Sequence, residues 1–206
     1  MHPEAEPVSR AIASRRSIRR FAPRPVPTAA VRDLVALACV APAPHHSRPW
    51  RFVHVASSES RQCLADGMAE AWRADLEHEG EPPHAIERRV GRSRRQLTEA
   101  PVLLLACLSL EEARPWPDEA RRCAERDMFV QSLGAALQNI LVAAHAWGLG
   151  GYLKGAPLFC PQAVSQALDL PADWEPSFFV LVGYPTEGFE AAPRPPLAVD
   201  DFLVSR

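Results

Sequence analysis

Several features that would decide the class of this chain at once are missing from it. No apolar run approaches the ~20 residues of a membrane-crossing helix; the longest, Pro101 to Leu110, is about half that. Met1 to Pro7 is acidic and lacks the apolar stretch of a secretory leader, so the cytoplasm is the expected compartment. The five cysteines (Cys39, Cys63, Cys107, Cys123, Cys160) are odd in number and never spaced C-x-x-C, which argues against a disulfide framework and a zinc knuckle. The histidines, His45-His46, His54, His78, His84 and His145 among them, have no ligand spacing with a nearby carboxylate, so no metal is expected. With 23 basic against 25 acidic residues and a net charge of −2, nothing recommends a nucleic-acid partner. A glycine-rich dinucleotide fingerprint and an internal repeat are both absent.

What is present suits one globular domain over 1–206, with 47% hydrophobic residues to build its core. The 21 prolines cluster at Pro23-Pro27, Pro42-Pro49, Pro82-Pro83, Pro115-Pro117 and Pro193-Pro196 and so mark connections between elements. Between them the pattern alternates helix and strand. Short helices are expected at Val8–Ser14 and Gln162–Leu168. Thr28 caps a helix to about Val40 whose Val31, Leu34, Val35 and Ala38 share a face. Strands are expected at Trp50–Ala56, Val102–Leu110 and Ser177–Tyr184, the last two apolar throughout and therefore buried. Charged amphipathic helices at Ser58 to about His78 and Ala85–Leu97 form a helical insert over about 58–97. The longest helix is Asp127–Trp147, ended by Gly148-Leu149-Gly150-Gly151, and an extended tail runs over about 187–206. The class is α+β, or α/β-like, with a mixed sheet.

Chemistry begins at Arg15-Arg16-Ser17-Ile18-Arg19-Arg20-Phe21. Guanidinium groups hold phosphate through paired planar hydrogen bonds, and a serine hydroxyl adds a donor. Ile18 and Phe21 anchor the segment while Arg15, Ser17 and Arg19 share another aspect. A solvated basic turn and a nucleic-acid arm are the alternatives for this stretch taken alone.

A second segment, Ala41-Pro42-Ala43-Pro44-His45-His46-Ser47-Arg48-Pro49-Trp50-Arg51-Phe52, opens a strand about 25 residues later. It is followed by Gly134-Ala135-Ala136-Leu137-Gln138-Asn139-Ile140-Leu141-Val142-Ala143-Ala144, Gly148-Leu149-Gly150, Gly183-Tyr184-Pro185 and Arg194. In this order, over nearly the whole chain, these motifs resemble the nitroreductase family. The resemblance implies a mixed, mainly antiparallel sheet sandwiched by helices, and a homodimer whose C-terminal tail crosses to the partner. It implies FMN as cofactor, with FAD binding poorly. Arg15, Arg16, Ser17 and Arg19 fall where the family grips the phosphate, ribityl chain and pyrimidine edge, and Arg194 where an arginine reaches the phosphate. Ala192 stands where a lysine is frequent, which removes one contact. Pro44, His45, His46 and Ser47 match the segment that approaches the flavin of the other subunit, with His46 and Arg48 replacing the usual amides. Lys154 and Gly155 match the turn whose backbone N–H groups face flavin N5, stabilising the reduced cofactor. The catalytic expectation is therefore Lys154, Gly155 and His45, the last as a proton donor. The hydride donor would be a reduced nicotinamide or deazaflavin, and the acceptor a small molecule.

The segments Ala41 to Val53, Met68 to Leu76 and Leu168 to Pro176 also resemble the FMN-binding C-terminal domain of coenzyme F-420 gamma-glutamyl ligase of actinobacteria. That resemblance implies reduction of an unsaturated anionic acceptor, with Arg48 and Arg51 as its readers. For the Arg88, Arg89, Arg92, Arg94, Arg95 run, a substrate face and a solvated helix face both stand. For Asp127–Trp147, small and apolar on nearly every side, a dimer core and a central monomer helix both stand. Either would enclose Gln138 and Asn139 and require them to be hydrogen-bonded. Cys160 either faces the pocket or packs. A general NAD(P)H-dependent nitro- or quinone reductase and a non-catalytic FMN-binding protein are the alternative functions.

Overall fold

The structure, a computed structural model, describes residues 5–206. The expectation over Met1–Pro7 falls partly on Met1–Glu4, which lie outside the described residues. Helices α1 (Ala5–Ser14) and α2 (Thr28–Ala38) precede strand β1 (Trp50–His54). Helices α3 (Ser58–His78) and α4 (Pro83–Glu99) form a hairpin leading into β2 (Val102–Ser109). Helix α5 (Glu119–Ala146), β3 (Gly150–Lys154), α6 (Pro161–Ala167) and β4 (Trp174–Gly183) complete the fold. The sheet order is β1-β2-β4-β3 and every ladder is antiparallel. Its parallel component is one isolated bridge, Ser17 to Gly151.

The continuous apolar run of β2 follows from helices on both faces. Val102, Leu104, Ala106 and Leu108 face the core made with α2 and α5, where Leu34, Phe129, Leu137 and Ile140 are buried. Leu103, Leu105 and Cys107 face the opposite core, with Leu64 of α3, Leu97 of α4 and Val164 of α6. A third cluster, Ala69, Leu76, Ile86 and Val90, holds the hairpin together beyond the sheet.

Several sequence expectations need correction. Helix α5 starts at Glu119, eight residues before the apolar pattern does, because the Asp118 side chain accepts the Arg121 N–H at 2.9 Å and caps it. Its first turns are largely exposed, so burial never reveals them. Thr28 is not a cap: Pro27 occupies that position and no side chain caps α2. Strand β3 was not expected, since its Gly150-Gly151 reads as a helix stop; the same glycines also begin the edge strand. Strand β4 starts at Trp174, and Pro176 is accommodated where the β2–β4 register shifts at Ala106/Cys107. Helix α5 buries only one stripe within the chain. Gln138 is exposed and Asn139 donates to the Leu37 carbonyl at 3.1 Å, while Met128, Val130 and Trp147 remain more than two-fifths exposed.

Candidate functional site

The Arg15–Arg19 segment is laid along edge strand β3 by its apolar anchor. Ile18 is buried and its N–H donates to the Gly151 carbonyl at 3.2 Å. The approach is so close that a Cβ on Gly150 would sit 2.8 Å from Ile18 side-chain carbons, which explains the glycine. Phe21 stacks on Tyr152 with ring centroids 6.3 Å apart. The tail returns to the same place: Arg194 Nη2 donates to the Arg15 carbonyl at 2.6 Å. Arg16 Nη1 donates to the carbonyls of Ala13, Ser14 and Arg15, closing the C-terminal end of α1. Much of the hydrogen-bonding capacity of Arg16 is thus spent on scaffold.

Arg15 is different. Its Nε and Nη1 are buried without a hydrogen-bond partner. Burial, and then the charges of Arg194 and Arg16, push its pKa below the ordinary arginine value. Among the described residues none of Arg15, Arg16, Arg19 or Arg194 forms an ion pair with a carboxylate. The Arg15 guanidinium, with two orphaned donors, the charges of Arg16 and Arg194 acting on it and no carboxylate paired to it, fits an anion such as a phosphate group.

Beside this cluster lies an open cavity of about 660 Å³ lined by Arg19, Arg92, Arg95, Gln96 and Tyr152, among others. The Arg19 guanidinium lies over the Tyr152 ring, 5.3 Å from its centroid. Burial pushes the Tyr152 phenol up to about 12 against the pull of Arg19 and Arg92, so it stays protonated at neutral pH. Arg92 and Arg95 are the residues that sequence reasoning did not assign to this place. Their i, i+3 spacing put them on one face of α4, but which face met Arg19 depended on how the hairpin docks.

Lys154, the only lysine in the chain, ends β3. Its Nζ donates to Ser93 Oγ and Gln96 Oε1 of α4, both at 2.8 Å. Burial, followed by the charge of Arg92, holds its pKa down to about 8. Gly155 is also closely packed, since a Cβ there would meet the Phe178 ring at 3.1 Å.

The other expected residues are elsewhere in the chain. Pro44, His45 and His46 form a 3-10 turn ahead of β1, with both histidines exposed and in left-handed conformation (φ 55° and 59°). Such strain in non-glycine residues is uncommon outside functional or tightly packed turns. Buried Ser47 donates its hydroxyl to the Pro44 carbonyl at 2.6 Å. Strands β1 and β3 are opposite edges of the sheet, about three strand spacings or ~14 Å apart. The structure therefore brings Arg15, Arg16, Ser17, Arg19, Arg194, Lys154 and Gly155 to one edge and leaves Pro44–Arg51 at the other. Arg51 is committed to Glu111 at 2.5 Å and to the carbonyls of Arg48 and Trp50. Arg48 is exposed, and its backbone N–H donates to Glu112 at 3.2 Å.

A family model described as the nitroreductase family matches residues 12–184. The chain belongs to the nitroreductase family of oxidoreductases. Among its relatives, YfhC of Bacillus subtilis, which its name places with NAD(P)H nitroreductases, is 28% identical over 90% of this chain and 88% of its own. The 5,6-dimethylbenzimidazole synthase of Rhodospirillum rubrum is 30% identical over 84% and 79%. A Desulfovibrio desulfuricans protein solved in complex with FMN is 26% identical, covers 97% and 96%, and superposes with a TM-score of 0.72. The α+β architecture is thus that of the nitroreductase fold. No described helix is long and apolar enough to cross a membrane, and no three described His, Cys, Asp or Glu side chains gather to hold a metal.

Proposed function

We propose that the chain is a single FMN-binding domain that works as an oxidoreductase on a small organic acceptor. The observation that carries this is the half-buried Arg15 guanidinium, whose Nε and Nη1 are orphaned beside Arg194 with no carboxylate paired to them. When bound, FMN would accept a hydride from a reduced nicotinamide or deazaflavin and return reducing equivalents to the acceptor. Arg15, Ser17 and Arg194 would hold its phosphate. Arg19, Arg92 and Arg95 offer donors suited to the carbonyl-rich pyrimidine edge. Lys154 and Gly155 would present backbone N–H groups from the end of β3.

The site is completed by a second copy in this reading. His45, His46 and Ser47 sit at the far sheet edge, so they reach a flavin only across a two-fold interface. The exposed apolar residues of α5 and of the tail, Phe202 and Val204 among them, need such a partner. Light scattering should then give about twice the chain mass of 22.7 kDa. A monomer that holds FMN tightly would overturn the shared site.

The narrower reading is reduction of an unsaturated anionic acceptor, as in coenzyme F-420 biosynthesis, in the cytoplasm. It leans on Arg48 and Arg51. Arg51 is already neutralised by Glu111, which leaves Arg48 as its one candidate reader. Arg48→Ala should then depress turnover of a phosphorylated, carboxylated acceptor about ten- to a hundredfold while sparing a neutral quinone. Equal loss of both would place Arg48 in the scaffold.

The deciding experiment is to add FMN and FAD to the purified protein, record the bound-flavin spectrum, then supply NADH or NADPH with a panel of acceptors. Retention of FMN over FAD with turnover supports an enzyme. Retention without reduction would make it a carrier, and equal tight binding of FAD would remove the monophosphate reading of Arg15.

A further inference from the structure

A second cavity, of about 480 Å³, is lined in part by Lys154. Its walls come from the far half of α3 and from the turn after β3. Met68 is buried, Trp72 half-buried, and Ala156 and Cys160 continue the apolar lining. Phe159 stands at the rim 84% exposed, an unusual position for a phenyl ring with no partner. The remaining polar lining is divided by sign. Asp75, His78 and Glu79, all exposed, come from the last turns of α3 and its C-cap. Ser93 and Lys154 line it as well, and they are hydrogen-bonded to each other. A lysine ammonium has three donors; Ser93 and Gln96 take two, leaving one for the cavity. Gln96 belongs to the lining of the basic cavity, so the Lys154 ammonium links this cavity to the wall of that one through a hydrogen bond.

We propose that this cavity is a binding site for a flat aromatic molecule with a hydrogen-bond-accepting oxygen at the end that meets Lys154 and a cationic group at the end that meets Asp75 and Glu79. The aromatic walls set the flat shape. The half-buried lysine sets the acceptor end, because an acceptor lone pair such as an oxygen's satisfies its third donor without displacing Ser93 or Gln96. The two carboxylates set the cationic end and repel an anion of the same size. That the occupant is the electron acceptor rests on the function proposed above; that it binds here does not.

The test uses two nitroaromatics of similar size and opposite charge, 4-nitrobenzyltrimethylammonium and 4-nitrobenzoate, titrated calorimetrically into the protein prepared with FMN. The cation should bind about tenfold more tightly at low ionic strength, with the preference shrinking at ~0.5 M salt. Asp75→Asn with Glu79→Gln, both surface changes, should bring the two probes to within about twofold. Ala156→Phe should weaken both while leaving FMN absorbance unchanged. Because Lys154 is the chain's only lysine, its acylation by an amine-reactive ester reads this wall directly by peptide mass, and the bound cation should slow it. Equal binding of the two probes, or binding of the cation untouched by Ala156→Phe and by the carboxylate changes, would overturn the proposal. Cation binding with this pattern by a protein that retains no FMN would support the cavity and sink the flavin reading, so the two fail separately.

Discussion

The arginines of the α3–α4 hairpin and those of the Arg15–Arg19 segment are the same side chain in opposite circumstances. In the hairpin, Arg73 meets Glu87 at 3.0 Å, Arg89 meets Glu81 at 2.8 Å, and Arg94 meets Asp66. Arg61, fully enclosed, donates to the carbonyls of Val55, Ala100 and Pro101. Beside β3, Arg15, Arg16 and Arg194 lie close together with no ion pair to a carboxylate, and Arg15 keeps two donors unsatisfied. A chain with 25 acidic residues had the means to neutralise them. Charge satisfied within the fold serves stability, whereas charge left unsatisfied at an enclosed edge is available to a ligand.

This contrast would break most visibly at Arg15. Arg15→Ala should weaken FMN binding about ten- to a hundredfold, the effect of losing a charge-assisted hydrogen bond in a partly enclosed site. Arg73→Ala, which removes an exposed pair worth ~0–1 kcal/mol, should leave FMN affinity within about twofold. Fluorescence titration of FMN measures both, and equal losses would erase the distinction. Arg20→Ala, outside the cluster, should cost less than Arg15→Ala or Arg19→Ala.

Arg61 sharpens the same comparison from the stability side. Arg61→Met strips three carbonyls of a charged donor and should cost about 2–3 kcal/mol. For a protein of this size that is a fall in Tm of roughly 5–10 °C, with FMN affinity of the folded fraction unchanged. Gly150→Ala sits between the two. Its new methyl collides with Ile18, so it should cost about 1–2 kcal/mol and also loosen FMN several-fold by pushing the arginine segment off β3.

The last expected effect, one of pH dependence, concerns the one lysine. Lys154 titrates near 8 in the folded chain against 10.5 when free of the fold, because burial and Arg92 disfavour its charge. Below pH 8 both states are protonated and the full cost of the buried charge is present. Between about pH 8 and 10.5 the unfolded chain binds more protons, so stability from this group rises with pH. The Tm advantage of Lys154→Met should therefore be largest near pH 7 and shrink toward pH 10.5. An advantage that grows with pH would show that the ammonium is stabilised where it lies.

Much of this was legible in the chain itself. Apolar periodicity placed β2, α3 and the core of β4, because those residues are buried by their own pattern whatever they pack against. The Ile18 and Phe21 anchors suggested a packed arginine segment but left a solvated basic turn open, and it was the ordered motifs that indicated the family. Local sequence could not reveal β3, since its two glycines are needed by close contacts with Ile18 and with Leu141 and the Leu181 carbonyl, which only the fold brings together. Nor could it show that Arg92 and Arg95 would join Arg19 while Arg94 turned to Asp66, because a helix displays all its faces until another element covers one. Tertiary packing alone made that choice, and it also left Arg15 half-buried with no carboxylate paired to it, fixed Lys154 in a cavity wall, and put His45 and Arg194 at opposite edges of one sheet. Each depends on which surfaces exclude water together, a property of the assembled layers and of no single segment.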